Sequence, residues 1–100
     1  MMNIHFERSG GFAGIRLKHD IDVDALPVKI GEEVRKLIEA AGFFQLPESI
    51  KATNPGADRF QYQITMDSGG GKHTVSVDDA AVPETLRPLL RWLTSSAQSR

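Results

Sequence analysis

The feature that most narrows the fold of this chain is a plan written twice, in which two alternating apolar runs flank a glycine-rich turn and lead into a helical stripe. In the first copy Ile4, Phe6 and Arg8 alternate with His5 and Glu7. Beyond the turn Arg8-Ser9-Gly10-Gly11-Phe12-Ala13-Gly14, the residues Ala13, Ile15 and Leu17 alternate with Gly14, Arg16 and Lys18. A period of two is that of half-buried strands, so these runs predict a hairpin. Its second strand runs on through His19 to Val23 until Asp24-Ala25-Leu26-Pro27 breaks the pattern. Ile30, Val34, Leu37, Ile38 and Ala41 then fall on one helical stripe, with the helix beginning near Val28 to Glu32 and Gly42 placed as a left-handed cap.

The second copy is preceded by an apolar connector, Phe43 to Pro47, expected to fold back over the helix end, and by the longest loop, Glu48 to Asp58, with its Asn54-Pro55-Gly56 turn signal. Phe60, Tyr62, Ile64 and Met66 alternate with Gln61, Gln63 and Thr65, giving the clearest strand. Asp67-Ser68-Gly69-Gly70-Gly71 is its turn, and His73, Val75 and Val77 mark the return strand. Val82, Leu86, Leu89, Leu90 and Leu93 predict a second helix with Trp92 on its shoulder. Pro83 suits a first turn, whereas Pro88, beyond it, implies a late start or a kink. From about residue 94 no apolar period remains, and a flexible tail is expected.

These elements read as an α+β domain, ββα-ββα. A four-stranded, mostly antiparallel sheet would carry both helices on one face and turn Glu7, Arg16, Gln61, Gln63 and Thr65 to solvent on the other. At 100 residues the chain is one domain with a single core and no room for a deep enclosed chamber. The net charge of −1, without a Lys/Arg block, argues against nucleic acid as a partner. No segment approaches the length that spans a membrane, and the first residues carry no signal-peptide pattern, so the expected location is cytoplasmic, with export by an unrecognised route left open.

Chemistry-bearing residues are sparse. Cysteine is absent, which removes disulfides and thiolate chemistry. His5, His19 and His73 lack any short ligand spacing and read as hydrogen-bonded structural histidines, His5 and His73 within reach of each other if their strands are adjacent. Asp20, Asp22 and Asp24 lack the glycine and the later glutamate of a calcium loop and read as a solvated strand edge. Asp78 and Asp79 fit the approach to the second helix. Ser9 has no G-x-S-x-G context, and Gly69-Gly70-Gly71-Lys72 lacks Walker spacing, so neither a hydrolase nor a phosphate loop is indicated. No metal, no cofactor and no catalytic residue is expected. Phe12 is different, because a large apolar group among glycines at a hairpin tip is costly unless it folds inward or meets a partner.

Taken together, Arg8 to Gly14, Ala57-Asp58-Arg59-Phe60-Gln61-Tyr62, His73 and the run Pro83 to Leu93 resemble the emfourin family across nearly the whole chain. Emfourin is a small proteinaceous inhibitor of protealysin-like, thermolysin-type zinc metalloproteases of bacteria. The resemblance implies a protease inhibitor, monomeric when free, that fills the active-site cleft of such an enzyme. Thermolysin-like enzymes favour a bulky apolar side chain just after the scissile bond, a group that Phe12 would present. The expected protease-binding residues are Ser9, Gly10, Gly11, Phe12, Ala13 and Gly14 of the first tip, joined by Ser68, Gly69 and Gly70 of the second if both tips end on the same side. The alternative is a non-inhibitory interaction or accessory domain that binds another protein through the polar face or an edge of the sheet.

Overall fold

The structure, a computed structural model, describes residues 2–10, 16–52 and 60–98. It is an α+β arrangement of a five-stranded mixed sheet and two helices, with strand order β2-β1-β4-β5-β3. The strands are β1 (Asn3–Gly10), β2 (Leu17–Asp22), β3 (Ser49–Ile50), β4 (Phe60–Asp67) and β5 (Lys72–Asp78), and the helices are α1 (Val28–Ala41) and α2 (Arg87–Gln98). All strand pairs are antiparallel except β3 with β5.

The alternating pattern does what a two-residue period must. Ile4, Phe6, Ile21, Tyr62, Ile64, Met66, Val75 and Val77 are buried together on one face, against Val34, Ile38 and Ala41 of α1 and Leu89, Leu90 and Leu93 of α2. Each such side chain stabilises the fold by about 1.5–3 kcal/mol when fully buried. Glu7, Gln61, Gln63 and Thr65 share the parity of the opposite face, where the two glutamines are exposed and Glu7 and Thr65 half-buried.

Three expectations need correction, and one condition is not met. The sheet has a fifth strand, β3, inside the segment read as a loop. At two residues it is too short to show a period, and it is held by Ser76 N–H donating to the Glu48 carbonyl (2.8 Å) and Ala52 N–H donating to Asp78 Oδ2 (2.9 Å). Ile30 is 40 % exposed; the buried line of α1 is Gly31, Val34, Ile38 and Ala41, with Leu37 half-buried. A Cβ on Gly31 would sit 3.4 Å from the Val23 carbonyl, so the helix approaches the preceding 3₁₀ turn (Val23–Ala25) through its smallest residue and Ile30 is rotated outward. His5 and His73 do not meet, since β4 separates their strands and they occupy opposite faces. Residues from about 94, expected as a tail, continue α2 to Gln98, with Ala97 buried.

The punctuation was legible. α1 ends at Gly42, whose φ of 58° is left-handed and whose N–H donates to the carbonyls of Ile38 and Glu39. The helix after Pro83 starts late, at Arg87, which leaves Pro88 within the first turn where its missing N–H breaks no helical bond. Val82 and Leu86 are nonetheless buried ahead of it.

Candidate functional site

The strand register decides where the two glycine-rich tips lie. β1 and β4 run antiparallel with Ser9 opposite Gln61, Gly10 opposite Phe60, and Asn3 opposite Asp67. Asp67 in turn lies opposite Lys72 of β5. Ser9 and Gly10 therefore stand at one end of the sheet, and the turn containing Ser68, Gly69 and Gly70 stands at the other. The Asn3-to-Gly10 length at a rise of about 3.4 Å per residue puts roughly 24 Å between the ends. The two tips would share a contact surface only if they ended on the same side, whereas Gly10 and the β4–β5 turn lie at opposite ends of the sheet. Gly11, Phe12, Ala13 and Gly14 lie outside the described residues. Gly10 closes β1 at φ 89°, a conformation that side-chain-bearing residues resist.

β1 is an interior strand, paired with β2 from Asn3 to Arg8 on one side and with β4 from Asn3 to Gly10 on the other. Among the described residues, Ser9 and Gly10 are paired with β4 alone. On the helix side of this end Arg8, opposite Tyr62, lays its guanidinium carbon 4.3 Å from the ring centroid of Phe60. Phe60 leans on Tyr62 with ring centroids 6.4 Å apart, and Tyr62 stacks on Phe6 at 6.2 Å. The Tyr62 hydroxyl donates to Asp79 Oδ1 over 3.3 Å. Burial, reinforced by the negative charge of Asp79, pushes the phenol of Tyr62 above its ordinary range, so it stays a donor. Arg8 Nε is buried with no hydrogen-bond partner among the described residues, its charge answered by the aromatic face.

The opposite side of the same end holds a shallow polar groove of about 180 Å³, lined by Glu7, Ser9, Lys51, Gln61, Gln63 and Asp78 among others. Glu7 is fixed there between His5 Nε2 (3.1 Å) and Arg16 Nε (3.8 Å). His5 also holds Asp20 of β2 through Nδ1 at 2.5 Å. Bonds to Asp20 and then Glu7 raise the imidazole of His5 above its ordinary value, and the bond to His5 lowers Glu7. This array braces β1 against β2 along the middle of their ladder.

The remaining candidates are structural. His73 donates from Nε2 to the Leu46 carbonyl at 2.8 Å and meets Phe43 edge to face, which pins the connector after α1 onto β5. His19 faces Ser96 of α2 at 3.3 Å. Asp22 accepts from the Asp24 N–H, and Asp24 binds Arg35 and the Met2 N–H. Asp78 and Asp79 accept from Ala52 and Tyr62. Among the described residues no group of three or more His, Asp or Glu side chains could hold a metal ion. No helix is long and apolar enough to cross a membrane.

Sequence reasoning did not find the Arg8–Phe60–Tyr62–Asp79 chain or the groove beside it. Arg8 gave the one available signal, since a cation in phase with Ile4 and Phe6 must find an answer on the apolar face. What the structure brings together are two segments quoted separately from the sequence, the end of β1 and the start of β4.

The described His and Asp side chains are thus absorbed in structural bonds, and β1 ends in a glycine of positive φ at the end of the sheet where β4 begins. A sequence model of the Emfourin family matches residues 6–94, and the chain belongs to that family. It is a family of metalloprotease inhibitors, and membership implies a protease as the partner. No curated protein and no solved structure matches the chain.

Proposed function

We propose that this protein inhibits a protealysin-like, thermolysin-type zinc metalloprotease of bacteria by filling its active-site cleft with the first hairpin tip, Ser9 to Gly14. The observation that supports the reading is the register of β1 on β4, in which Arg8, Ser9 and Gly10 lie opposite Tyr62, Gln61 and Phe60 at one end of the sheet. Phe12 supplies the bulky apolar group that such enzymes accept just after the scissile bond. The glycines around it let the backbone approach the cleft walls.

Inhibition rather than cleavage follows from restraint. A tip rooted in a strand that β2 holds as far as Arg8 and β4 as far as Gly10 loses little conformational entropy on binding, which favours a tight complex. The same restraint holds its peptide bond short of the geometry that attack on the carbonyl requires. The chain has no thiol to offer the enzyme's zinc, so the binding energy comes from shape and apolar contact. The second tip, at the far end of the sheet, takes no part.

The test is titration of the purified protein against a thermolysin-like protease with a peptide substrate, with a serine protease and an unrelated zinc protease as controls. Stoichiometric loss of activity confined to the thermolysin-like enzyme is expected. No inhibition of any such enzyme would leave only a non-inhibitory interaction domain.

A further inference from the structure

The two edges of the sheet are unequal. One is closed by β3, two residues long, and the other is β2, six residues long. The Val23 N–H donates to the Met2 carbonyl at 2.9 Å, which makes Met2 and Val23 a hydrogen-bonded pair. Such pairs alternate along an antiparallel ladder, so Ile21 and His19 also bond inward to β1. The N–H and C=O groups of Lys18, Asp20 and Asp22 therefore point out of the sheet, and among the described residues no backbone group bonds to them.

Charge along this edge is divided. Arg16 and Lys18 are basic, Asp20 and Asp22 are acidic, and all four are exposed. Like charges along an edge repel a second strand, but a strand basic at one end and acidic at the other complements an antiparallel copy of itself. With a two-fold axis at His19, Lys18 faces Asp20 of the second copy and Arg16 faces Asp22. Leu17 then meets Ile21 on the helix side. Moving the axis to Asp20 sets Asp20 against Asp20, and moving it to Lys18 sets Lys18 against Lys18. A one-residue slip would turn the apolar set to the wrong face. Outward-pointing groups and charges thus agree on one register.

We propose that two copies of this chain associate through their β2 edges, antiparallel about an axis at His19, into one continuous sheet. This differs from the monomer expected for the free protein and does not depend on the inhibitory reading. Both Gly10 ends lie beyond the paired residues, at opposite ends of the joined β2 strands.

Sedimentation equilibrium of the full chain at low and high salt tests the pairing. Reversible dimers that weaken with salt are expected. Lys18→Asp weakens association about tenfold or more, because each copy then opposes Asp20 of the other with a like charge. The exchange Lys18→Asp with Asp20→Lys restores it. Opposed His19 residues form a non-hydrogen-bonded pair with Cα atoms about 4.5 Å apart, within disulfide reach. In a chain without cysteine, His19→Cys should therefore yield a covalent dimer on mild oxidation, while Lys36→Cys on α1 does not. A monomer at every concentration, a dimer indifferent to Lys18→Asp, a charge exchange that fails to restore pairing in a folded protein, or no cross-link at position 19 would each overturn the proposal.

Discussion

The guanidinium carbon of Arg8 stands 4.3 Å from the ring centroid of Phe60 and joins the end of β1 to the first residue of β4. Such a contact is worth about 0.5–1 kcal/mol where exposed and more where water is excluded. It splints the root of the glycine-rich tip. Arg8→Ala is expected to lower stability by about 1 kcal/mol in urea denaturation and to weaken protease inhibition. A double-mutant cycle with Phe60→Leu, which keeps bulk and removes the aromatic face, should show a coupling of about 0.5–1 kcal/mol.

His73 is predicted to matter for folding and not for inhibition. Its Nε2–H bond to the Leu46 carbonyl and its contact with Phe43 fasten the connector to β5 on the helix side of the sheet. His73→Ala should cost about 1–3 kcal/mol, from a lost bond and a carbonyl left without its partner. Thermal unfolding would report the loss, while the inhibition constant of the folded fraction should not move.

The brace of His5 with Asp20 and Glu7 makes stability depend on pH in a stated direction. His5 is raised, so its contribution is complete below the ordinary imidazole value of 6.5 and is lost as pH rises through the folded-state value. Glu7 is lowered, so its contribution is complete above 4.5 and is lost as pH falls through its folded-state value. The array therefore contributes most between those two ordinary values. The Tm of the wild type should fall between about pH 5.5 and about pH 8 by more than that of His5→Gln, and equal slopes would remove the brace from the account.

The far turn provides a control within the same molecule. A Cβ on Gly70 meets nothing within 4 Å, so Gly70→Arg should fold normally. Because that turn lies at the Asn3 end of β1 and β4, its bulk and charge should leave the inhibition constant within about twofold of the wild type. A large loss would bring the second tip into the interface.

Local chemistry made much of this fold legible. The period of two in Phe60 to Met66, the left-handed glycine after Ala41 and the conflict between Pro88 and a helix interior each act within a few residues, and β4, the Gly42 cap and the late start of α2 follow from them. β3 was hidden because two residues cannot display a period, and its partner β5 lies far along the chain. The opposition of the tips was hidden for another reason. Periodicity says that β1 and β4 share an apolar face, but the direction in which two hairpins join is settled by tertiary pairing, and that direction alone separates Ser68 to Gly70 from Ser9 and Gly10. Arg8 and Phe60 could each be read as lying on the helix side, yet only the register brings them into contact. Phe12 itself rests on sequence, since it lies outside the described residues.

The most direct test is the inhibition constant of Phe12→Ala against a thermolysin-like protease, measured beside its Tm. The account predicts inhibition weakened about tenfold or more, at least about 1.4 kcal/mol, with the Tm unchanged. Unaltered inhibition, or a fall in Tm that shows Phe12 to be part of the core, would contradict it.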